Sequence, residues 1–524
     1  MPSFYRCFLV VKGALVYSRI KTCCLEGLTG HIVQVECDLS RGLPKMNIVG
    51  LPDLAIKESS ERARSAIKNS HYDFPLNRIT INLSPANLKK DGTQMDLAIC
   101  VGILAANKEI KEESIDQYIY MGEVNLDGQV TAIKGALPMI ISLREKGYRK
   151  VCVPYDNRKE CAAVSDMEIY PIKKLGDLVD FLNGDLEILP EKQVDFTLTE
   201  KKYPLDFSEI KGQHALKRAM EIAAAGGHNL LMIGSPGCGK SMAAKRLPTI
   251  LPPLTFEESI EVTKIYSVSG LLKSEDLIKE RPFRSPHHTA SSVSLIGGGR
   301  KPKPGEVSLA HNGVLYLDEL AEFSRSVLEV LRQPMEDHEI HIARAQASLS
   351  YPANFMFVGS LNPCPCGYYG HPTETCTCSR QSIDRYLSKI SHPLLDRIDL
   401  HVELSPVKYE DLAKDAHEES SESIRKRVIA ARNLQIERFK DVDYFSNANI
   451  QDKDIKKYCQ ISKKGQDLVA LAFKKYHFSA RSYQKILKVA RTIADLSGLE
   501  NIQEDHLLEA IRYRSVEAKY WGSR

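Results

Sequence analysis

A glycine-rich loop at residues 234–241 constrains the fold of this chain more than any other segment. It reads GSPGCGKS, which matches the pattern G-x-x-x-x-G-K-[ST]; an apolar run precedes it and a helix-favouring segment follows it. Between a strand and a helix this loop binds phosphate, because its backbone N–H groups and the helix N-terminus stabilise the anion. We therefore predict an α/β fold that binds a nucleoside triphosphate; a chance glycine-rich turn is the alternative.

A second apolar run, residues 313–317, ends in two carboxylates, Asp318 and Glu319. The carboxyl ends of parallel strands face the ligand crevice of an α/β sheet. Asp318 is expected to help hold Mg²⁺ and Glu319 to polarise the attacking water. A strand that ends in a solvated acidic turn is the alternative.

ATP and Mg²⁺ are thus the predicted cofactors, with Lys240 at the β- and γ-phosphates and Ser241 as a Mg²⁺ ligand. The loop residues expected to surround the phosphates are Gly234, Ser235, Pro236, Gly237, Cys238, Gly239, Lys240 and Ser241.

Two closely spaced cysteine pairs follow a third apolar strand, at Cys364, Cys366, Cys376 and Cys378. Four cysteines in one loop indicate a closed structural Zn²⁺ site with thiolate ligands. C-x-C is tighter than the usual zinc-ligand spacing, so free thiols or a redox pair are the alternative. In both cases we expect the loop 364–378 to be structural.

Charge and hydropathy exclude some classes of protein. The net charge is +4, which is too small to indicate nucleic-acid binding by itself. No stretch approaches the roughly 20 apolar residues of a membrane span. The short apolar patch near the N-terminus has no small-residue cleavage site after it. We expect a cytoplasmic protein that has no membrane partner.

The order of these motifs resembles that of AAA+ ATPases, and the resemblance implies further site residues. Phe207, Ile210 and Gly212 resemble the segment that packs around adenine, with plain helix capping as the alternative. Asn362 ends a strand that resembles sensor 1 and would orient water near the γ-phosphate.

Two arginines complete the set implied by this resemblance. Arg397 lies in the segment LLDRIDL and resembles an arginine finger that reaches the neighbouring subunit's nucleotide. An ordinary Asp–Arg surface pair is the alternative for it. Arg481 begins a capped helix that resembles sensor 2, and it would contact the γ-phosphate of the nucleotide bound by its own subunit.

Other segments resemble Mg-chelatase-like AAA+ proteins more specifically. The Gly-, Pro- and Lys-rich stretch 297–306 resembles a pore loop, the helix-2 insert. Residues 339–348 resemble the presensor-1 hairpin, which would bring Arg344 near the pore or an interface. Residues 14–185 resemble a Lon-protease-like α+β domain. The positions of Lon's serine and lysine hold Gln94 and the segment 137–139 (Leu-Pro-Met), so we expect no peptidase activity.

The whole set resembles the Mg-chelatase-like AAA+ family called YifB or ComM. The resemblance implies a homo-hexameric ATPase that promotes branch migration or translocation on branched or single-stranded DNA, in recombination or natural transformation. A remodeller that acts on a protein partner is the alternative, and an ATP-dependent protease is a further one. The basic helix 421–440 is a candidate phosphate contact.

The resemblance also predicts a linear domain order. It comprises an extension at 1–13, the Lon-protease-like domain at 14–185, a linker at 186–206, the AAA+ core at 207–405 and a helical lid at 406–524.

Overall fold

The structure of the protein is a computed structural model that describes residues 16–194, 196, 203–272, 276–299, 302–343, 348–406, 418–442 and 444–522. The expected extension at 1–13 and Arg344 lie outside the described residues. The chain forms two compact units, one of Met1–Phe196 with Thr263–Leu277 and one of Thr197–Val262 with Ile278–Arg524. No described helix is long and apolar enough to cross a membrane.

The first unit combines two sheets and a short hairpin with six α-helices among the residues described. Its strands are β1 (Val16–Glu26), β2 (Thr29–Ser40), β3 (Lys45–Val49), β4 (Arg78–Ser84), β5 (Ile119–Tyr120), β6 (Glu123–Val124), β7 (Val130–Thr131), β8 (Lys150–Pro154) and β9 (Glu168–Ile172). Its helices are α1 (Leu54–Asn69), α2 (Asp96–Ala106), α3 (Glu112–Ile115), α4 (Ala136–Glu145), α5 (Arg158–Ala162) and α6 (Leu175–Asn183).

The larger sheet of this unit has the order β1-β2-β4-β3, in which only β3 and β4 pair in parallel. Val33, Val35 and Cys37 of β2 are buried and the polar residues between them are half-buried, which confirms the alternation seen in the sequence. Helix α2 packs on β1 and β2 and is buried almost all round, as its continuously apolar sequence requires.

Residues 118–124 do not form one continuous strand but are divided between β5 and β6. The Met121 N–H donates to the Cys152 carbonyl, whereas the next N–H, of Gly122, donates to the Gln94 carbonyl. The chain therefore leaves the parallel sheet β5-β8-β9 and enters the hairpin β6-β7.

The two positions that align with the Lon catalytic pair lie in packed surroundings. The Gln94 amide donates to the Asp91 carbonyl at 2.7 Å, and its side chain is 9% exposed. Leu137 and Met139 are fully buried in α4.

The second unit contains the phosphate-binding motif. Its strands are β10 (Leu230–Gly234), β11 (Phe283–Arg284), β12 (Gly297–Gly298), β13 (Lys303–Pro304), β14 (Val314–Leu317), β15 (Glu339–Ala343), β16 (Ser348–Pro352), β17 (Met356–Leu361) and β18 (Leu400–Leu404). Its helices up to β18 are α7 (His214–Gly226), α8 (Lys240–Arg246), α9 (Phe256–Ser269, of which residues from Thr263 onward belong to the first unit), α10 (Ser292–Ile296), α11 (Glu306–Leu309), α12 (Arg325–Glu329), α13 (Pro334–Asp337), α14 (Arg380–Leu387) and α15 (His392–Leu395). After β18 come α16 (Ser421–Arg438), α17 (Ile455–Tyr458), α18 (Lys463–Tyr476), α19 (Ala480–Leu496) and α20 (Glu504–Trp521).

A five-stranded parallel sheet of order β11-β14-β17-β10-β18 organises this unit. Strands β10, β14 and β17 are buried throughout, because helices cover both faces. All strands run in one direction, so the residues that follow β10, β14 and β17 meet at the same edge. Strand β17 lies between β10 and β14, which brings Asn362 between the glycine-rich loop and Asp318.

The C-terminal helices share one hydrophobic core with this sheet. Ile486 and Val489 of α19 belong to the same buried cluster as Met232 of β10 and Tyr316 of β14. Helix α20 runs beside β18, where Arg514 is 1% exposed. The helical lid expected at 406–524 is thus part of the same compact unit as the sheet.

Residues 263–277, which the linear domain order assigns to the AAA+ core, belong instead to the first compact unit. The Ser267 hydroxyl donates to the Glu160 carboxylate at 2.9 Å. The Ser267 carbonyl accepts from the Gly135 N–H at 3.1 Å. A linear reading of the sequence contains no signal for these contacts between distant segments.

Replacing Arg514 by Met is expected to lower the free energy of unfolding by about 3–5 kcal/mol, because a buried charged network would lose its donor. The Arg514 guanidinium donates to the Ile398 carbonyl at 2.6 Å and to the Asp396 carboxylate at 3.3 Å. Urea unfolding followed by circular dichroism measures the change. Arg512→Met on the exposed side of the same helix is the matched control. Equal unfolding midpoints for the two variants would contradict the assignment.

Candidate functional site

The glycine-rich loop joins β10 to α8 in a conformation that its glycines permit. Gly237 and Gly239 have φ angles of 79° and 91°, in the left-handed region that side chains disfavour. A Cβ atom on Gly234 would lie 2.8 Å from the Cys238 sulfur and 3.0 Å from the Leu404 carbonyl oxygen. The loop therefore packs tightly against β18. Because its glycines carry no side chains, backbone N–H groups at the edge of the loop are not covered by side chains.

The Lys240 ammonium is half-buried inside this loop. It donates to the carbonyl oxygens of Gly234 at 2.6 Å and Ser235 at 2.9 Å, and to the Asn362 side-chain oxygen at 3.1 Å. Burial lowers the pKa of Lys240 below its ordinary value, and the nearby Cys238 only partly offsets this effect. A phosphate group beside this ammonium would be strongly favoured, because it supplies the missing negative charge.

Ser241 and Asp318 meet directly, as expected for two ligands of one Mg²⁺. The Ser241 hydroxyl donates to one Asp318 oxygen at 2.7 Å, and the Ser360 hydroxyl donates to the other. Burial acts to raise the pKa of Asp318, but the bonds from Ser360 and Ser241 outweigh it and hold the pKa below its ordinary value. A hydroxyl beside an ionised carboxylate fits a hard cation such as Mg²⁺, which binds oxygen ligands.

Glu319 is exposed next to this pair and has a φ angle of 51°. A residue other than glycine in the left-handed region stores strain, which is a feature of functional sites. Its N–H donates to the Asp318 carboxylate at 3.1 Å and to the Ser360 hydroxyl at 3.3 Å, and these bonds hold the strained turn. The carboxylate of Glu319 thus projects into solvent at the edge where β14 ends.

Sequence reasoning missed Ser360, which contacts both Asp318 and Glu319. A polar residue inside the buried strand β17 was the available signal, since buried hydroxyls require partners.

The segment expected to pack around adenine lies against the loop. Phe207 and Ile210 are buried in the core, and Gly212 has a φ angle of 61°. The Gln213 amide donates to the Cys238 carbonyl at 3.3 Å and to the Ser405 carbonyl at 2.7 Å. The Phe207 N–H donates to the Ser421 hydroxyl at 2.8 Å, which ties this segment to the start of α16.

Arg397 lies at the opposite edge of the sheet. The Asn229 amide, immediately before β10, donates to the Arg397 carbonyl at 2.9 Å, whereas the glycine-rich loop follows β10. Five residues of strand separate the two edges by about 15 Å. The Arg397 guanidinium donates to the Pro393 carbonyl at 2.6 Å and pairs with Glu336.

Arg481 lies beside Arg397 and not beside Lys240, which differs from our expectation. Its guanidinium is 3.6 Å from the other oxygen of Glu336. Helix α19 begins at this edge because Lys485 pairs with the buried Asp399 at 2.7 Å, just before β18. Glu336 is thus a shared partner of both arginines, and nothing in the sequence marked it.

The four cysteines converge on one point. Their sulfur atoms all lie within 4.8 Å of one another. The separations are 3.3 Å for Cys364–Cys366, 3.7 Å for Cys364–Cys376 and 3.6 Å for Cys366–Cys376. Tetrahedral Zn²⁺ with Zn–S bonds of about 2.3 Å places sulfurs about 3.8 Å apart, so the cluster fits this ion. Backbone N–H groups, that of Tyr368 first, lower the pKa of Cys366 to about 6, which favours a thiolate.

Several cations of the basic helix α16 pair with carboxylates of the chain, whereas Arg432 donates to backbone carbonyls and Arg425 lies over the Tyr203 ring. Arg427 pairs with Glu221 and Glu419, and Arg438 pairs with Asp495. Lys426 pairs with Glu422 of the same helix. Lys440, which follows the helix, pairs with Glu437 near the helix end. These cations are committed to carboxylates, which weakens α16 as a candidate phosphate contact.

Family comparisons agree with this architecture along the chain. The family described as "Magnesium chelatase, subunit ChlI" matches residues 206–412, "Subunit ChlI of Mg-chelatase" matches residues 35–157, and "Magnesium chelatase, subunit ChlI C-terminal" matches residues 418–514. The first match covers the sheet with its glycine-rich loop, and the third covers helices α16 to α19 and the first part of α20.

Relatives of similar length extend the match to nearly the whole chain. The chain is 42% identical over 514 residues to competence protein ComM of Haemophilus influenzae, covering 96% of this chain and 97% of ComM. It is 40% identical to YifB of Escherichia coli, covering 94% and 96% of the two chains. Similarity to the magnesium-chelatase 38 kDa subunit of Cereibacter sphaeroides is 27% over 31% of this chain and 54% of that subunit. The chain therefore belongs to the YifB and ComM family of Mg-chelatase-like AAA+ proteins.

Proposed function

We propose that this protein is an ATP-driven hexameric motor that moves branched DNA during recombination or natural transformation. Its family implies ATPase activity with ATP and Mg²⁺ as cofactors. The observation that carries the proposal is the separation of the phosphate loop from the two arginines by the length of β10. Such a site is complete only when a neighbouring subunit supplies its arginines.

Each residue at the loop edge has a role in hydrolysis. Lys240 stabilises negative charge on the β- and γ-phosphates, and Ser241 and Asp318 hold Mg²⁺, which neutralises charge on the phosphate oxygens. Glu319 orients and polarises the attacking water from its exposed position. Asn362, which contacts Lys240, is placed to orient that water.

Arg397 and Arg481 act together on the nucleotide of the adjacent subunit. Both pair with Glu336 at the far edge of the sheet. An arginine that reaches a phosphoryl group in trans stabilises the charge of the transition state. Head-to-tail contacts of this kind close into a ring when the rotation between subunits allows it. The resemblance to the YifB and ComM family implies a ring of six.

DNA is the proposed substrate of the motor. A relative that matches nearly the whole chain is named a competence protein, which supports a role with incoming DNA. The basic helix α16 is a weaker candidate for the DNA contact because four cations in or next to it pair with carboxylates, so we assign the contact to the insert 297–306. The described part of this insert forms the hairpin β12-β13, and its sequence GGGRKPKPGE carries three cations and one carboxylate. These events take place in the cytoplasm, where ATP and chromosomal DNA are available.

A chelatase-like remodeller of a protein partner is the second candidate, and the matches to magnesium chelatase subunit families favour it. An ATP-dependent protease is disfavoured because Gln94 and the buried Leu137 and Met139 occupy the positions of the Lon catalytic pair.

We further propose that Cys364, Cys366, Cys376 and Cys378 bind a structural Zn²⁺. The sulfur separations support this assignment. With four thiolates the ion has no open coordination position, so it would cross-link the loop and take no part in hydrolysis.

Glu319→Gln is expected to retain ATP binding and to lower the rate of hydrolysis by about 10²–10⁴-fold, because an amide cannot polarise the water. Fluorescence titration with an ATP analogue and a phosphate-release assay measure the two properties. Glu322→Gln, at an exposed carboxylate three residues later, is the matched control and should hydrolyse ATP normally. Normal turnover by Glu319→Gln would refute the assigned role.

Four-way or forked DNA is expected to stimulate ATP hydrolysis, and ATP is expected to drive movement of a four-way junction. Phosphate release with and without DNA, together with a gel assay of junction migration, tests both statements. The Glu319→Gln protein is the control and should bind the junction without moving it. An ATP hydrolysis rate that is the same with and without DNA, together with no junction movement, would overturn the DNA motor in favour of the remodeller.

A further inference from the structure

We propose that the four-cysteine loop is a positioning element for the phosphate loop, so that occupancy of its metal site sets the affinity for nucleotide. The inference rests on the zinc site proposed above. It adds a second requirement: that the metal-bound loop supports the glycine-rich loop from outside.

The cysteine loop begins at the nucleotide site itself. Asn362, whose side-chain oxygen accepts from the Lys240 ammonium at 3.1 Å, precedes Cys364 by two residues. Cys364 is fully buried, and its sulfur accepts from the Tyr369 N–H at 3.3 Å. The position of Asn362 is therefore coupled through one intervening residue to a buried cysteine of the cluster.

A direct contact joins the same loop to the phosphate loop. Gly367 has a φ angle of 88°, and a Cβ atom at this position would lie 2.4 Å from the Pro236 Cδ. No side chain fits at that distance without displacing one of the two segments. The Gly367 N–H also donates to the Cys364 carbonyl at 3.0 Å. This hydrogen bond closes a turn that joins the first two cysteines to Gly367, the residue that contacts Pro236.

A cleft separates the two segments beyond this contact. It is narrow and is lined by Gly234, Ser235, Gly367, Tyr369, His371 and Tyr520. The Tyr369 ring lies 6.4 Å from the Tyr520 ring of α20. The Tyr369 hydroxyl accepts a hydrogen bond from the Arg380 guanidinium at 2.9 Å. The cysteine loop thus lines one side of the cleft and the phosphate loop the other.

The conformation of the cysteine loop depends on its cross-link. Residues 362–379, all of which the structure describes, form no helix or strand. Among its cysteines, only Cys364 is fully buried, and the other three are partly buried against the neighbouring hydrophobic cluster. Binding of Zn²⁺ to thiolates contributes free energy to the ordering of the chain that supplies them. Loss of the metal would release Gly367 from Pro236 and loosen Asn362 beside Lys240.

Two glycine variants distinguish the effect of the contact with Pro236 from the effect of backbone strain. Gly370 lies in the same loop and also has a positive φ angle, 77°, but a Cβ atom there would meet nothing within 4 Å. Gly367→Ala should therefore bind nucleotide about tenfold more weakly than Gly370→Ala, because only the first substitution displaces Pro236. Neither residue is a metal ligand, so both variants should retain zinc.

A third variant, Cys376→Ser/Cys378→Ser, removes the metal itself. We expect it to contain no zinc and to weaken nucleotide binding to the level of Gly367→Ala. Mass spectrometry of the metal, titration of a fluorescent ATP analogue with Mg²⁺ present, and circular dichroism are measured for every protein. The wild type treated with a zinc-selective chelator should match the cysteine variant and recover its affinity when Zn²⁺ is returned.

The outcomes distinguish this inference from the proposals on which it depends. Wild-type protein without zinc would refute the metal site and this inference together. Wild-type protein that holds zinc but binds nucleotide equally well after its removal would overturn only this inference. Equal nucleotide affinities of Gly367→Ala and Gly370→Ala would overturn the role of the Gly367–Pro236 contact in nucleotide binding. Failure of the zinc-loaded wild type to bind nucleotide at all would contradict the ATPase.

Discussion

One buried strand, β10, holds the two halves of the nucleotide machinery apart. Its carboxyl end becomes the loop that surrounds Lys240, and the residue before its amino end is hydrogen-bonded to the Arg397 backbone. Strands β17 and β18 pair with β10 on either side in parallel register, so neither edge can shift alone. In the proposed mechanism, this spacing makes the phosphate loop and the arginines of one chain parts of two different sites, which is why the proposal requires an oligomer.

The polar contacts at the two edges are of different kinds. At the loop edge, Ser241, Ser360 and Asp318 form a short hydrogen-bonded chain that keeps the carboxylate ionised and suited to a divalent cation. At the far edge, Glu336 holds Arg397 and Arg481 together in the absence of a phosphate partner. In the proposed ring, the phosphates of a neighbouring subunit would replace this exposed carboxylate and keep the largely buried Arg397 guanidinium beside an anion.

Much of the loop edge could be predicted from the sequence, because short motifs fix it. The order strand, glycine-rich loop and helix predicted the conformation around Lys240, and an apolar strand before Asp318 placed that carboxylate at the same edge. The fold class and the family are confirmed on the same residues. The cysteine spacing predicted a cluster but not its contact with Pro236, since packing between loops has no periodic signal. The same limit applies to Arg481, whose helix is oriented by the distant ion pair of Lys485 with Asp399, and to the grouping of 263–277 with the first unit.

A subunit-mixing experiment tests the shared site most directly. Glu319→Gln subunits retain Arg397 but cannot hydrolyse the nucleotide that they bind. Arg397→Ala subunits retain Glu319 but cannot complete the site of the adjacent subunit. Each alone should be nearly inactive, with Arg397→Ala reduced by about 10³-fold or more. In rings assembled from equal amounts of both, about a quarter of the sites combine an intact Glu319 with a neighbour's intact Arg397, so ATPase activity should return. No recovery on mixing, or normal hydrolysis by Arg397→Ala alone, would contradict a site completed by the adjacent subunit.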